Sequence, residues 1–554
     1  MKRGRRASGW MVLGCGLALA TTAGAVQLPT AVGSVSSTTA PVTIYYSRAE
    51  KAEVAAALLP AAEQAWQTQV VQLGFTAPTT IDDDLQPVTG MRFYLVQSNT
   101  YAGYARPVAD LPDTPQTDCA AITVIADSYP LSYLATVLDH EFNHTLQMAS
   151  DCIEGMFAME MTAVTMQTLL HPSDTFIDYV LPDFQRQPDR AIYSLDNGSY
   201  FHFGSALFGL FLEQRYGSND GSLLARIWGQ ASQPGSVTIS GNGYVSGSVA
   251  NEPDLFDAIG SVLGAQGVTL EQALAQFAHD RFFVGSFDDG DHLAGASRWG
   301  GAEPRFDSRF TIDQLPQWDA MPAAPPQDTG ASYIAIDLAG ASEEQRLRFW
   351  LAGDPEVNWH ASLIGRAPEG VTEIPFPVDA EGYGEISIEQ PTRFEQVVLL
   401  VANLGNGRFD LDRMSGVARS FFYSVELIDC PQVELLGADP AALEPGQRAR
   451  LRIAADNLPE QAFALQVSGG GVTVVDAVRL SSTEIEATLE IADGAAAGKR
   501  DLTIELECGG SATGPGLIEI LRASQGCSAL AAGGDHTALL LGLLLTALGR
   551  RRRR

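Results

Sequence analysis

The sequence predicts a multidomain chain in which an α+β domain is followed by a β-sandwich and a second β-unit. Three observations carry this. The chain has 554 residues, room for several domains of ~100–200 residues each. Up to residue 315, short apolar alternations give way to long stretches with apolar residues at helical spacing. Beyond a proline-rich break from Pro316 to Pro326 the helical period stops. Short β-branched runs separated by Gly, Pro, Asn and Asp take over, the signature of β-sandwiches.

The N-terminal end reads as an address. Lys2, Arg3, Arg5 and Arg6 precede an apolar run over 10–20 and then Ala23-Gly24-Ala25. That is the layout of a signal peptide over residues 1–25, cleaved before Val26. Residues 26–40, rich in Ser, Thr, Ala and Gly without periodicity, read as a linker. The domain at 41–315 then shows strands at 43–46, 91–96 and 121–126 and helical spacing over 49–73, 131–148, 154–170, 204–216, 223–230, 252–263 and 270–282. The β-sandwich at 327–428 has strands expected at 333–338, 347–351, 361–364, 384–388, 396–401 and 421–427. A second β-unit at 430–522 has strands expected at 449–454, 463–467, 472–478, 484–491 and 500–507. Its Glu444-Pro445-Gly446-Gln447 and Gly498-Lys499-Arg500-Asp501 resemble turns of bacterial Ig-like modules of the IPT/TIG type.

Residues 523–554 form a second address. Gly526-Cys527-Ser528, Gly533-Gly534, an apolar run over 538–548 and Arg550 to Arg554 follow one another. The run is too short for a bilayer, which needs ~17–25 residues. The layout resembles C-terminal sorting signals of the myxobacterial type, and almost as well those of the Gly-Gly type. The resemblance implies export and processing in a Gram-negative bacterium, with the product held at the cell surface in association with the outer membrane, or secreted. Membrane contact is expected only through this segment, before processing.

The formal charge is −31, with 35 basic against 66 acidic residues, and the basic ones crowd the two ends. Between residues 26 and 522 there are 26 basic and 65 acidic residues. A surface that acidic repels phosphate backbones, so nucleic acid is not an expected partner. Cys119 and Cys152 lie in one region and Cys430 and Cys508 in another. Two disulfides within separate domains are the simplest pairing in an oxidising compartment. The acidic clusters Asp82-Asp83-Asp84 and Asp288-Asp289-Gly290-Asp291 offer calcium-type oxygen donors, but neither matches an EF-hand loop. They read as solvated faces.

Asp139-His140-Glu141-Phe142-Asn143-His144 contains HExxH in a chain with 8 histidines. On a helix, residues i and i+4 share a face, so both imidazoles reach one Zn2+ ion. Glu141 stands one step around, placed to take a proton from zinc-activated water. A catalytic zinc has three protein ligands and one open position. Gln147 and Ser150 stand where a metzincin has Gly and His, so an acidic third ligand is required. Asp151, Glu154 and Glu160 are the candidates. Glu160 is favoured because a short connection lets its helix return antiparallel to the His pair, and a carboxylate on an apolar helix needs a partner.

His140 to Gln147, followed by Phe157 to Ala163, resembles secreted gluzincin-like metalloproteases in which HExxHxxQ precedes W-x-x-E-[GA]-x-A. The resemblance covers most of residues 42–280, including Tyr45-Tyr46 and Leu212-Glu213-Gln214-Arg215-Tyr216-Gly217, with Phe157 in place of Trp and Met161 in place of a small residue. It implies a zincin-like fold, zinc held by His140, His144 and Glu160, Glu141 as general base, and a protein or peptide substrate. Tyr193, Tyr200 and His202 are candidate oxyanion donors. The alternative is a surface adhesin or binding protein on a zincin-like scaffold that has lost catalysis; the intact Glu141 counts against it. Oligomeric state is not legible.

Overall fold

The strand Cys119–Ala126 is buried at every position, as a β-branched run without polar alternation requires when both its faces are covered. It belongs to a computed structural model that describes residues 28–522 apart from 112, 196, 197, 241, 242, 408, 410, 412–414, 461 and 462. The expected signal peptide and the 523–554 sorting segment lie outside the described residues.

The first sheet is built from β1 (Gly33–Ser36), β2 (Val42–Tyr46), β5 (Met91–Val96), β6 (Gly103–Asp110) and β7 (Cys119–Ala126), with the hairpin β3 (Thr79–Ile81) and β4 (Pro87–Thr89) separate. Its order is β1-β2-β5-β7-β6. The three central strands run parallel and both edge strands antiparallel. The expected linker at 26–40 is therefore corrected: Gly33–Ser36 pairs with β2, and Val35 packs on the core. Polar edge strands carry little hydrophobic signal, because ladder bonds rather than side chains hold them.

Helices α1 (Ala52–Ala65), α2 (Leu131–Met148) and α3 (Met156–Leu170) lead into α4 (Phe176–Gln185), α5 (Phe201–Gly204), α6 (Ala206–Tyr216) and α7 (Ser222–Ala231). After a small hairpin, β8 (Val237–Ile239) and β9 (Val245–Gly247), come α8 (Leu255–Gly264) and α9 (Leu270–Asp280). α2 is buried almost continuously from Leu134 to Gln147, and α3 from Phe157 to Gln167. These two helices occupy the centre of the fold, where polar side chains must find partners.

A β-sandwich follows. One sheet has the order β10 (Ser308–Thr311), β12 (Ala331–Asp337), β17 (Gln396–Asn403), β14 (Trp359–Ala367), β15 (Gly370–Phe376); the other has β11 (Gln317–Ala320), β18 (Phe421–Asp429), β13 (Gln345–Gly353), β16 (Tyr383–Ile388). Ile334, Ile336, Val397, Leu399 and Val401 point between the sheets, whereas Tyr333, Ala335, Val398, Leu400 and Ala402 join the core of the helices. One sheet thus serves two cores, which is why β17 is buried throughout. Residues up to Asp429 accordingly form one compact unit. β11 lies inside the proline-rich break and pairs with β18.

The second unit starts at Cys430 and holds two four-stranded sheets. Leu451, Ile453, Ile485, Leu489, Leu502, Ile504 and Ile518 are buried in it. Disulfides join Cys119 to Cys152 and Cys430 to Cys508, one in each unit. Among the described residues no helix is long and apolar enough to cross a membrane.

Candidate metal centre

α2 carries His140 and His144 one turn apart, and α3 lies against it with Glu160 facing them. His140 Nε2 is 3.4 Å and His144 Nε2 3.6 Å from Glu160 Oε2. The two Nε2 atoms are 3.1 Å apart. One donor atom from each of the three residues falls within 4.8 Å of the others, and all three side chains are buried. The group can hold a metal ion.

Whether it fits one turns on which ring nitrogens carry protons, and two glutamines decide that. Gln147 Nε2 donates to Asn143 Oδ1 at 2.8 Å, to the Met159 carbonyl at 3.0 Å and to Thr162 Oγ1. Its Oε1 therefore faces His144 Nδ1, 2.8 Å away. Gln167 Nε2 donates to Asp174, which turns its Oε1 toward His140 Nδ1 at 3.0 Å. Both imidazoles thus donate through Nδ1 and present Nε2 lone pairs to one point. Two lone pairs and a carboxylate oxygen without a hydrogen bond, Glu160 Oε2, converge there. Only a proton or a cation stabilises such an arrangement.

The electrostatics say the same. Burial alone would raise the Glu160 pKa, but His144 and His140 outweigh it and hold the carboxyl below its ordinary value. For His144 burial opposes the charge, yet the Glu160 carboxylate overrides it and lifts the pKa to about 9. The metal-free cluster therefore retains a proton that a divalent ion must displace. Glu141 is 1% exposed, and its Oε2 has no hydrogen-bond partner. Burial raises its pKa, against the charges of His140 and His144, while the Ala105 N–H on edge strand β6 donates to it.

No family model and no curated protein matches this chain. The site's chemistry has to be read from its own geometry.

Of the three acidic candidates, Glu160 is the one brought to the His pair. Asp151 is spent elsewhere, accepting from Thr117 Oγ1 at 2.7 Å, Gln233 Nε2 at 3.1 Å and the Ile153 amide. Burial, with Asp151 and Asp254 nearby, raises the Glu154 pKa well up and favours its neutral acid. Tyr193 donates to Asp328 Oδ2 at 2.6 Å on the sandwich side. Tyr200 packs edge-on against Tyr179, and His202 lies on the Phe203 ring. The tyrosines that sense the charge of Glu141 are instead Tyr104 on β6 and Tyr133 on α2.

The supporting shell continues outward. Asn143 Nδ2 donates to Gln69 Oε1 at 3.0 Å, and Gln69 in turn reaches Asp139, which accepts from His171 Nε2 at 2.6 Å. Trp228 Nε1 donates to Thr162 Oγ1 at 3.1 Å. Sequence reading missed Gln69, Gln167 and Asp174. A buried glutamine on an apolar helix was the available signal, since such a group needs a partner. Glu213, part of the late matching stretch, caps α7 by accepting from the Leu224 amide at 2.9 Å.

Proposed function

We propose that the protein is an exported zinc-dependent endopeptidase, with a zincin-like first unit and an Ig-like (IPT/TIG-type) last one. The observation that carries this reading is the convergence of two Nε2 lone pairs and Glu160 Oε2 beside the unpartnered carboxylate oxygen of Glu141. Two imidazoles and one carboxylate are a donor set suited to zinc. Three protein ligands, rather than four, leave a position for chemistry. Zinc held there supplies Lewis acidity toward a carbonyl and acidifies water.

The chain's own residues do the rest. His140, His144 and Glu160 would hold the ion, and Gln147 and Gln167 fix the imidazoles. Burial raises the proton affinity of Glu141, which suits a group that accepts a proton from attacking water and returns it to a leaving amine. Edge strand β6 lies against Glu141, and an extended peptide adds to such an edge through backbone hydrogen bonds. The disulfides fit an oxidising compartment, consistent with export and with surface anchoring or release.

The test is Glu141→Gln in the full chain. Hydrolysis of an unbiased peptide pool should fall by about 100-fold or more, with metal retained at this centre. Glu160→Ala should lose that metal. Unchanged biological activity of Glu141→Gln would reject the peptidase and leave a surface adhesin or binding protein.

A further inference from the structure

Three of the chain's 8 histidines gather at a second place. His279 and Asp280 end α9, and His292 returns on the segment that follows. One donor atom from each lies within 4.8 Å of the others. His279 and Asp280 are 1% and 0% exposed. Neither His279 Nε2 nor Asp280 Oδ2 has a hydrogen-bond partner. Glu373 on β15 brings Oε1 to 3.7 Å from His279 Nε2. His360, on neighbouring β14, is within electrostatic reach of His279.

The ring of His292 is held as a ligand's ring is held. Its Nδ1 stands 2.9 Å from both carboxylate oxygens of Asp289, which leaves Nε2 as the lone-pair nitrogen. Phe283 stacks on the ring at 3.8 Å between centroids. Asp289 belongs to an acidic cluster that reads from sequence as a solvated face; its contact is instead this imidazole. Asp280 Oδ1 accepts from Gln276 Nε2 at 2.7 Å and lies 3.3 Å from His279 Nδ1, but its fully buried Oδ2 stays bare, and a bare buried carboxylate oxygen calls for a cation.

We propose that His279, Asp280 and His292 form a second site for a divalent transition metal of the zinc class. Nitrogen donors argue against calcium and magnesium, which take oxygen. It would tie the end of α9 to the segment that follows it. It uses no residue of the His140 centre and does not depend on the peptidase reading.

The test strips the full chain with chelator, titrates it with zinc and counts ions retained through gel filtration. Wild type should keep about two per chain, and His292→Gln about one. His292 is partly exposed, so its loss should leave the fold intact, and Asp289→Asn, which releases the His292 ring, provides a second variant expected to weaken this site. Cobalt loading gives a spectroscopic readout: His292→Gln should remove one set of d–d bands and leave the other. A single retained ion that survives His292→Gln and Asp289→Asn but is lost in His140→Gln overturns the proposal. A single ion with the opposite pattern supports it and rejects the His140 centre instead.

Discussion

Gln147 and Gln167 each hold one imidazole by its Nδ1, so their amides select the tautomer able to take a metal ion. Gln147→Ala and Gln167→Ala should each weaken zinc at the His140 centre by about 10–100-fold, measured by competition with a chromophoric chelator. Gln147→Ala should also cost stability, because it strips a partner from Asn143 and Thr162. The raised His144 pKa gives a pH dependence whose sign is fixed. Its folded pKa, about 9, lies above the ordinary 6.5. In the metal-free protein its contribution is therefore full below pH 6.5 and lost as pH rises through about 9. Denaturant midpoints of the stripped protein should fall across that window. Those of the loaded protein should not, since zinc replaces the proton. Apparent zinc affinity should rise over the same range. His140, Glu141 and His144 were legible because one helical turn contains them. Gln167 was not, because 27 residues separate it from its imidazole and folding alone joins them.

At the scale of elements, the site is the contact between α2 and α3, and two devices set it. Cys152 lies in the turn between them and is tied to Cys119 on β7, while Asp151 beside it is held by Thr117 and Gln233. Replacing both Cys119 and Cys152 by Ser should cost about 2–5 kcal/mol and weaken zinc binding, because the turn that returns Glu160 loses its anchor. On its far side α3 packs closely on α6 through Gly209. A Cβ there would fall 2.2 Å from Thr165 Oγ1 and 2.8 Å from Met161 Sδ. Gly209→Val should destabilise the first unit by about 1–3 kcal/mol and lower zinc affinity by shifting α3, read by thermal melts of stripped and loaded protein. Helix α2 was read from sequence with the bounds it has, since its apolar period is unbroken. Strand β6 is not legible in the sequence. Arg106 and Pro107 interrupt its alternation, a bulge follows between Pro107 and Ala109, and proline is tolerated there because the strand lies at an edge.

At the scale of the molecule, a compact unit ending at Asp429 and another beginning at Cys430 should melt separately. Calorimetry should resolve two transitions, and chelator should lower only that of the first unit. A metal present at about 1,000 times its Kd contributes about 4 kcal/mol there. The sequence by itself determined the change from mixed helices and strands to β-structure, the acidic composition, both disulfide pairings and the HExxH helix. Each of those is local, compositional, or constrained by having few partners to choose from. Only the tertiary structure decided that Glu160 rather than Glu154 or Asp151 meets the histidines, that glutamines set their tautomers, and that the sandwich shares its sheet with the helical core. It also brought His292 back to His279 and Asp280 at the end of α9. In each of these the partner of a polar group is chosen by how the elements pack, which no local pattern encodes.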